Sequence, residues 1–405
     1  FMYSLPTKEF LQYINGQLVA GQGRVTQIRC PGNGESVAQV ALATREQAQQ
    51  ALEAARDAFP AWSGLTLEER GAWMMKLRDA VLQESENLLT LLMLESGKLR
   101  SHAAFETGSL TGYLSFFLEQ AKSEHAQGIR DASGGKNMFL AVREPVGVVA
   151  AALAWNFPMH NLATKLGPIL ASGCTAVIKP ATKTPLSTLY FGEILHRIGF
   201  PKGVINFVAG DAKEIGTTLC ESPIPAMITM IGSTAGGLRM VRDSATSVKR
   251  FSMELGGNAP VIVTPSADLS AAAAHVIGNK MRCAGQTCVA PQRAFVHRSV
   301  YREFLALCTE IASGAKCGTL DEPANTGPLI DAAAVTRMES LVADAVEKGA
   351  SVVCGGTRPA DKTSGFYFLP TILTNVTADM RVFREEVFGP ILALLPYDTE
   401  EEAVR

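Results

Sequence analysis

The sequence predicts an α/β protein of two doubly wound parallel-sheet domains with one small excursion. Three observations predict it. From residue 146 onward, short apolar and β-branched runs alternate with helix-length segments. A second series of the same kind begins after Glu254-Leu255-Gly256-Gly257. The 405 residues are 47% hydrophobic, enough apolar material for two or three cores.

In chain order, residues 44–59 read as an amphipathic helix capped by Thr44. The capping box Thr66-x-x-Glu69 opens a helix that runs into the 80s. Residues 124–142, rich in Gly and Ser before a strand-like Met138–Val142, break the rhythm. They read as an excursion that packs against another subunit. The strands 146–153, 175–179, 204–209 and 226–231 are each followed by a helix, near 159–172, 185–199, 213–221 and 234–245. Such alternation implies a parallel sheet covered on both faces. The apolar run 251–255 is a further strand carrying Glu254, and the two glycines after it let the chain turn into a second domain. There the runs 260–263 and 294–297 precede helices near 268–282 and 299–313, and a helix at 332–348 precedes 351–354. The expected division is 1–123 with 143–253, then 124–142, then 254–405. Thr399-x-x-Glu402 starts a helix that stops at Arg405, so the chain reads as C-terminally incomplete, with Met2 the expected natural start.

Composition excludes several classes of function. The net charge is −2 with no long basic run, which argues against nucleic acid as a partner. The longest apolar stretch, 146–155, is far short of the roughly 20 residues of a membrane helix, so no membrane partner is expected. Eight Cys without a CxxC pair and six His without HExxH argue against a metal site or disulfide framework. A reducing, cytoplasmic compartment fits. The chain also lacks G-x-G-x-x-G after a strand, the P-loop pattern and the G-x-S-x-G elbow.

What remains is a thiol and a carboxylate. Cys288 follows the polar break Gly285-Gln286-Thr287, whereas Cys283 and the other cysteines lie in contexts that suit buried small hydrophobes. Glu254 ends an apolar strand, where a carboxylate is costly without a task or a partner. A thiolate nucleophile and a carboxylate that activates water suggest a thioester released by hydrolysis. Asn156, in Trp155-Asn156-Phe157-Pro158, lies beyond a strand's C-terminal end, where ligands bind in open sheets. It reads as an oxyanion donor or, taken alone, more readily as a turn Asn before an aromatic-Pro kink. Lys179 reads as a ribose or phosphate ligand or as a solvated strand-end Lys. Gly232-Ser233-Thr234 before a helix forms a phosphate seat.

WNFP, Lys179-Pro180, GST before a helix, ELGG, GQTC and the late run Glu385-Glu386-Val387-Phe388-Gly389-Pro390 occur in this order. The set resembles the NAD(P)-dependent aldehyde dehydrogenase superfamily over nearly the whole chain. The resemblance implies an aldehyde dehydrogenase-like fold with a dinucleotide-binding domain, a catalytic domain and an oligomerisation excursion. It implies that Cys288 attacks the aldehyde to give a thiohemiacetal and then a thioester. Asn156 and the backbone N–H of Cys288 receive the oxyanion, and Glu254 is the base for the hydrolytic water. On the cofactor it places Trp155, Lys179, Gly210, Gly232, Ser233, Glu386 and Phe388. Thr182 stands where many NAD-preferring members carry a Glu on the ribose 2′-hydroxyl. With Lys183 beside it, this favours NADP over NAD.

Arg282 resembles an arginine of the succinate-semialdehyde dehydrogenase branch that grips the substrate's distal carboxylate, or else it is a solvated helix-end Arg. Where that branch supplies a further Arg, Lys122 is the nearest cation. The expected partners are a small aldehyde, such as an ω-semialdehyde, and further copies of the chain as a homodimer or homotetramer. Two other readings are a non-catalytic protein of the same fold and a cofactor-independent thiol esterase. Cofactor reduction separates the first from dehydrogenase action, and ester turnover without dinucleotide dependence identifies the second.

Overall fold

The computed structural model describes residues 3–124, 130–131, 138–139 and 141–405. The expected start at Met2 lies outside them. Most of the expected excursion, 124–142, does too. Within it, two short strands, Arg130–Asp131 and Met138–Phe139, pair antiparallel.

The chain divides into two compact units. The first comprises Phe1–Ile28, Ala38–Leu92 and Ala104–Leu255. It opens with β1 (Gln12–Ile14) and β2 (Gln17–Val19), joined at Asn15-Gly16, both at positive φ (51° and 76°). This is a hairpin turn that only such residues adopt easily. After the ribbon β3 (Val25–Arg29) with β4 (Ser36–Ala41) comes α1 (Arg45–Ser63). Thr44 caps α1 with a full capping box, Gln47 answering from the third position. The same device at Thr66 and Glu69 opens α2 (Leu67–Gln83). Then follow α3 (Ser85–Ser96), α4 (Arg100–Glu124) and the pair above, β5 and β6.

The βα rhythm begins at β7 (Val148–Ala152) and α5 (Pro158–Ala171), then β8 (Thr175–Lys179) and α6 (Leu186–Arg197). Next come β9 (Ile205–Phe207) and α7 (Glu214–Glu221), β10 (Pro225–Ile231) and α8 (Thr234–Asp243), and β11 (Arg250–Glu254). Every residue of β8 is buried, as both-face covering requires. The sheet order is β11-β10-β7-β8-β9-β1-β2. β7 through β11 are parallel, whereas β1 and β2 add antiparallel. The sheet is therefore mixed where a parallel one is expected. The hairpin at Asn15-Gly16 supplies the reversed strands.

The second unit comprises Arg29–Val37, Met93–Ala103 and Gly256–Arg405. Its sheet runs β12 (Pro260–Val263), β13 (Arg293–His297), β16 (Ile391–Tyr397), β15 (Thr371–Thr374) and β14 (Ser351–Cys354), with β14 antiparallel. The helices α9 (Leu269–Met281), α10 (Tyr301–Ser313) and α11 (Ala332–Glu347) cover it. A short α12 (Arg381–Arg384) precedes β16, and α13 (Glu400–Val404) follows it, capped by Thr399. Residues 29–37 and 93–103, which the sequence reading places in the first domain, cluster with this unit. Long-range pairings hold them there: Thr319 Oγ1 donates to the Gly97 carbonyl at 2.9 Å, Leu99 bridges Leu320, and Arg100 pairs with Asp321 at 2.6 Å.

Among the described residues, no helix is long and apolar enough to cross a membrane, and no group of three or more His, Cys, Asp or Glu could hold a metal.

Candidate active site

In the first unit, β7, β8 and β9 succeed one another to one side of the sheet, while β10 and β11 lie on the other side of β7. The strand order reverses between β7 and β10. Beyond the C-terminal ends of such a pair the chain leaves a crevice for ligands. Trp155-Asn156-Phe157-Pro158 follows β7, and Gly232-Ser233 follows β10.

Pro158 is the first residue of α5, and Phe157 offers its N-terminus no side-chain cap. The cap comes from α4. The fully buried Glu106 carboxylate accepts from the backbone amides of Met159 (3.0 Å) and His160 (3.3 Å). A helix N-terminus favours such an anion. Asn156, also buried, accepts at Oδ1 from Asn161 Nδ2 (3.4 Å), which also donates to the Ala154 carbonyl (3.1 Å). With its oxygen engaged, the NH2 is the amide's donor end. The Trp155 carbonyl accepts from Thr184 Oγ1 at 3.1 Å, and Lys183 Nζ lies 5.7 Å from the Trp155 ring centroid.

Lys179 ends β8, is 6% exposed, and donates from Nζ to the Pro180 carbonyl at 3.2 Å. Burial pulls its pKa down to about 8, and Asp211 resists the fall. Thr182 Oγ1 donates to the Gly210 carbonyl at 3.0 Å, so two expected cofactor residues meet beyond β8 and β9. Ser233 caps α8, accepting from the Gly236 amide at 3.1 Å. The Gly232 amide donates to the Glu254 carbonyl at 3.0 Å, which ties the ends of β10 and β11 together. The Glu254 residue itself is exposed. Lys165, buried on α5, has its pKa lowered by burial, with Glu254 acting in the opposite sense.

In the second unit, α9 runs into a tight turn. Cys283, Ala284 and Gly285 all take positive φ (51°, 53° and 71°). Each non-glycine residue so held costs on the order of 1–3 kcal/mol. Gln286, itself buried, holds the turn. Its Nε2 donates to the carbonyls of Cys283 (2.9 Å) and Pro328 (3.2 Å), and its Oε1 accepts from the Ile330 amide (2.9 Å). Two residues on, Cys288 is the one exposed cysteine among the described residues. Cys283 is buried. Burial pushes Cys308 up to about 12 and Cys317 up to about 11, which keeps those thiols protonated at neutral pH.

A second buried amide, Gln292, donates to the Gly257 carbonyl (3.2 Å) and accepts from the Val387 amide (2.6 Å). It fastens the Glu386–Phe388 run beside Gly256-Gly257. Phe388 is held at φ 53°. A Cβ at Gly256 would meet the Glu386 carboxylate, whereas one at Gly257 would meet nothing. Arg282 ends α9. Burial, with Lys98 and Arg282 adding to it, drives His102 down to about 4. Lys122, expected as a further substrate cation, instead pairs with Glu119 at 2.7 Å on an exposed face of α4.

Cys288, Arg282, Glu386 and Phe388 thus belong to the second unit. Asn156, Glu254, Trp155, Lys179, Thr182, Gly210, Gly232 and Ser233 belong to the first. Glu106, Lys165, Gln286 and Gln292 carry no role in the sequence reading. Gln286 lies inside a motif that could have marked it. Glu106 had no local signal, because the amides it caps are remote in sequence.

The aldehyde dehydrogenase family model matches residues 18–405. The NADP-dependent succinate-semialdehyde dehydrogenase of Escherichia coli is 37% identical over 96% of this chain and 81% of its own length. The glutarate-semialdehyde dehydrogenase of Pseudomonas aeruginosa is 38% identical over 97% of this chain and 81% of its own. The crystal structure of succinate-semialdehyde dehydrogenase from Burkholderia pseudomallei superposes with a TM-score of 0.94 at 39% identity, over all of this chain and 84% of that one.

Proposed function

The chain belongs to the aldehyde dehydrogenase family as an NAD(P)-dependent enzyme that oxidises an aldehyde to the acid, and from that premise we propose that its substrate is an ω-semialdehyde, with Cys288 as nucleophile. The observation that carries the second part is the exposed Cys288 after a left-handed turn that buried Gln286 clamps.

The Cys288 thiolate attacks the carbonyl carbon, a C–S bond forms, and the π pair moves onto oxygen. The Asn156 NH2 and the Cys288 backbone N–H receive that oxyanion. When bound, the dinucleotide would supply a hydride acceptor for this carbon, and a thioester would remain on Cys288. Glu254 takes a proton from water, the water oxygen attacks the thioester, and the C–S bond breaks to return the thiolate and the acid.

The residues present suit a dinucleotide. The switch point is flanked by the N-terminus of α8, which can seat a pyrophosphate on backbone amides. Glu386 Oε1 is buried with no hydrogen-bond partner, as an acceptor awaiting ribose hydroxyls would be. Trp155, Lys179, Thr182, Gly210, Gly232 and Ser233 would hold the adenosine and pyrophosphate end. Glu386 and Phe388 would hold the nicotinamide ribose. This assigns the adenosine and pyrophosphate end to residues of the first unit, and the nicotinamide ribose and the nucleophile to residues of the second. NADP is the preferred form in this proposal, because Thr182 brings no carboxylate against a 2′-phosphate and Lys179 and Lys183 bring cations.

Arg282, at the end of α9 six residues before Cys288, takes the substrate's distal carboxylate. The Lys122 charge is matched by Glu119, so the grip is assigned to Arg282 alone. Relatives that act on succinate and glutarate semialdehydes agree with a carboxylate at the far end and leave its distance open. The assembly is proposed as a homodimer or homotetramer, supported by exposed Leu238, Val241 and Val248 on and after α8.

The test is Arg282→Ala assayed on succinate semialdehyde, glutarate semialdehyde and butanal. KM for the two acids should rise on the order of 10–100-fold, as loss of a charge-assisted fork implies, with butanal unchanged. An equal rise for all three would overturn the carboxylate grip.

A further inference from the structure

One side chain of the second unit ties together two runs that are far apart in sequence. Gln292, 1% exposed, stands just before β13. Its backbone is held on two sides. The amide donates to the Ala259 carbonyl at 3.0 Å, and the carbonyl accepts from the Ala393 amide at 3.0 Å. A side chain rooted in so fixed a backbone is a rigid support. Its own amide head is used at both ends. Nε2 donates to the Gly257 carbonyl (3.2 Å), and Oε1 accepts from the Val387 amide (2.6 Å). A Leu or Met at this position would fill the space and hold neither.

The Val387 amide belongs to the same peptide unit as the Glu386 carbonyl. That carbonyl accepts from the Arg337 guanidinium at 2.8 Å, and Arg337 is itself steadied by the Glu385 carboxylate at 3.0 Å. A trans peptide points its N–H and C=O to opposite sides. Gln292 and Arg337 therefore grip one peptide plane from its two edges, which fixes the backbone from which the Glu386 side chain departs. The grip has something to resist. Phe388, the next residue but one, is held at φ 53°, where any residue with a Cβ is disfavoured. The far end of Glu386 shows what the grip aims. Oε2 lies against Gly256, beside the Gly257 carbonyl that Gln292 holds. Oε1 is buried with no hydrogen-bond partner, a costly state unless a ligand completes it.

We propose that Gln292 is a positioning residue for the cofactor: with Arg337 it clamps the Glu386–Val387 peptide, and it holds that peptide against Gly257, so that Glu386 presents Oε1 to the nicotinamide ribose. The proposal rests on the reading of Glu386 as a ribose ligand. Gln292 touches no part of the cofactor and acts through Glu386 alone. Its loss therefore weakens the contact with the second ribose and leaves the adenosine end, assigned to residues of the first unit, as it was.

The experiment measures the dissociation constants of ADP and of ADP-ribose by isothermal titration calorimetry. The second probe adds only the ribose that Glu386 is read to hold, so the ratio of the two constants isolates that contact. Wild type, Glu386→Gln, Gln292→Leu, Gln292→Glu and the double variant Glu386→Gln with Gln292→Leu are compared. Wild type should bind ADP-ribose roughly tenfold more tightly than ADP, the order of one charge-assisted hydrogen bond. Glu386→Gln and Gln292→Leu should each remove most of that advantage, with ADP binding unchanged. Gln292→Glu keeps the shape and an acceptor for the Val387 amide but loses the donor to the Gly257 carbonyl. It should remove part of the advantage, and it reads the same ratio should Gln292→Leu not fold. The double variant should be no weaker than Glu386→Gln. If wild type shows no advantage, or Glu386→Gln leaves it intact, the ribose reading of Glu386 fails and takes the proposal with it. If Glu386→Gln removes the advantage while the Gln292 variants keep it, or weaken both probes by one factor, Gln292 only supports the fold and the proposal alone is overturned.

Discussion

The two units present their proposed functional side chains by different means. In the first, the proposed site residues stand at or just beyond the ends of parallel strands, on turns that the βα repeat itself produces. Asn156 follows β7, Lys179 ends β8, Gly232 and Ser233 follow β10, and Glu254 ends β11. In the second, Cys288 and Glu386 sit on irregular backbone. Left-handed residues at 283–285 and 388 are held by buried amides of Gln286 and Gln292. A repeat places a residue by where its strand ends. An irregular loop must be clamped by groups that are distant in sequence. The clamped site therefore stores strain, and its geometry depends on single side chains.

Three substitutions sharpen or break this contrast, and the largest effect is on the nucleophile. Cys288→Ala should lower kcat for NADP reduction by at least about 10³-fold, since no other described cysteine is exposed to replace it. Retained turnover under steady-state assay would move the chemistry away from the clamped loop. Gln286→Leu comes next. It strips partners from the Cys283 and Pro328 carbonyls and the Ile330 amide. The expected loss is about 1–3 kcal/mol of stability by urea unfolding, with kcat reduced about tenfold or more as Cys288 loses its placement. An unchanged kcat would mean that the turn holds itself. Thr182→Glu is the smallest, because it alters a strand-end residue without disturbing the repeat. It should shift the ratio of kcat/KM from NADP toward NAD by roughly 10-fold, the scale of one charge repelled from a phosphate. An unmoved ratio would exclude this position from the 2′-phosphate.

The contrast also explains what could be read in the chain. The helices α1 and α2 follow from Thr44 with Gln47 and Thr66 with Glu69, because a capping box is complete within one turn of sequence. The strands from β7 to β10 follow from apolar runs of the right length. The antiparallel pair β1 and β2 carried a readable signal, Asn15-Gly16, between runs too short to stand out. The affiliation of 29–37 and 93–103 with the second unit carried none, since it rests on Thr319, Leu320 and Asp321 far along the chain. The ion pair of Lys122 with Glu119 also depends on the helix face that both residues share.

By itself, the sequence determined the βα repeat and the family's motifs in their order, because these depend on local propensity, periodicity and short motifs. Only the tertiary structure decided which thiol is exposed and that Glu106 caps the helix behind Asn156. Burial and long-range hydrogen bonds fix those properties, and they come into being only when distant segments pack.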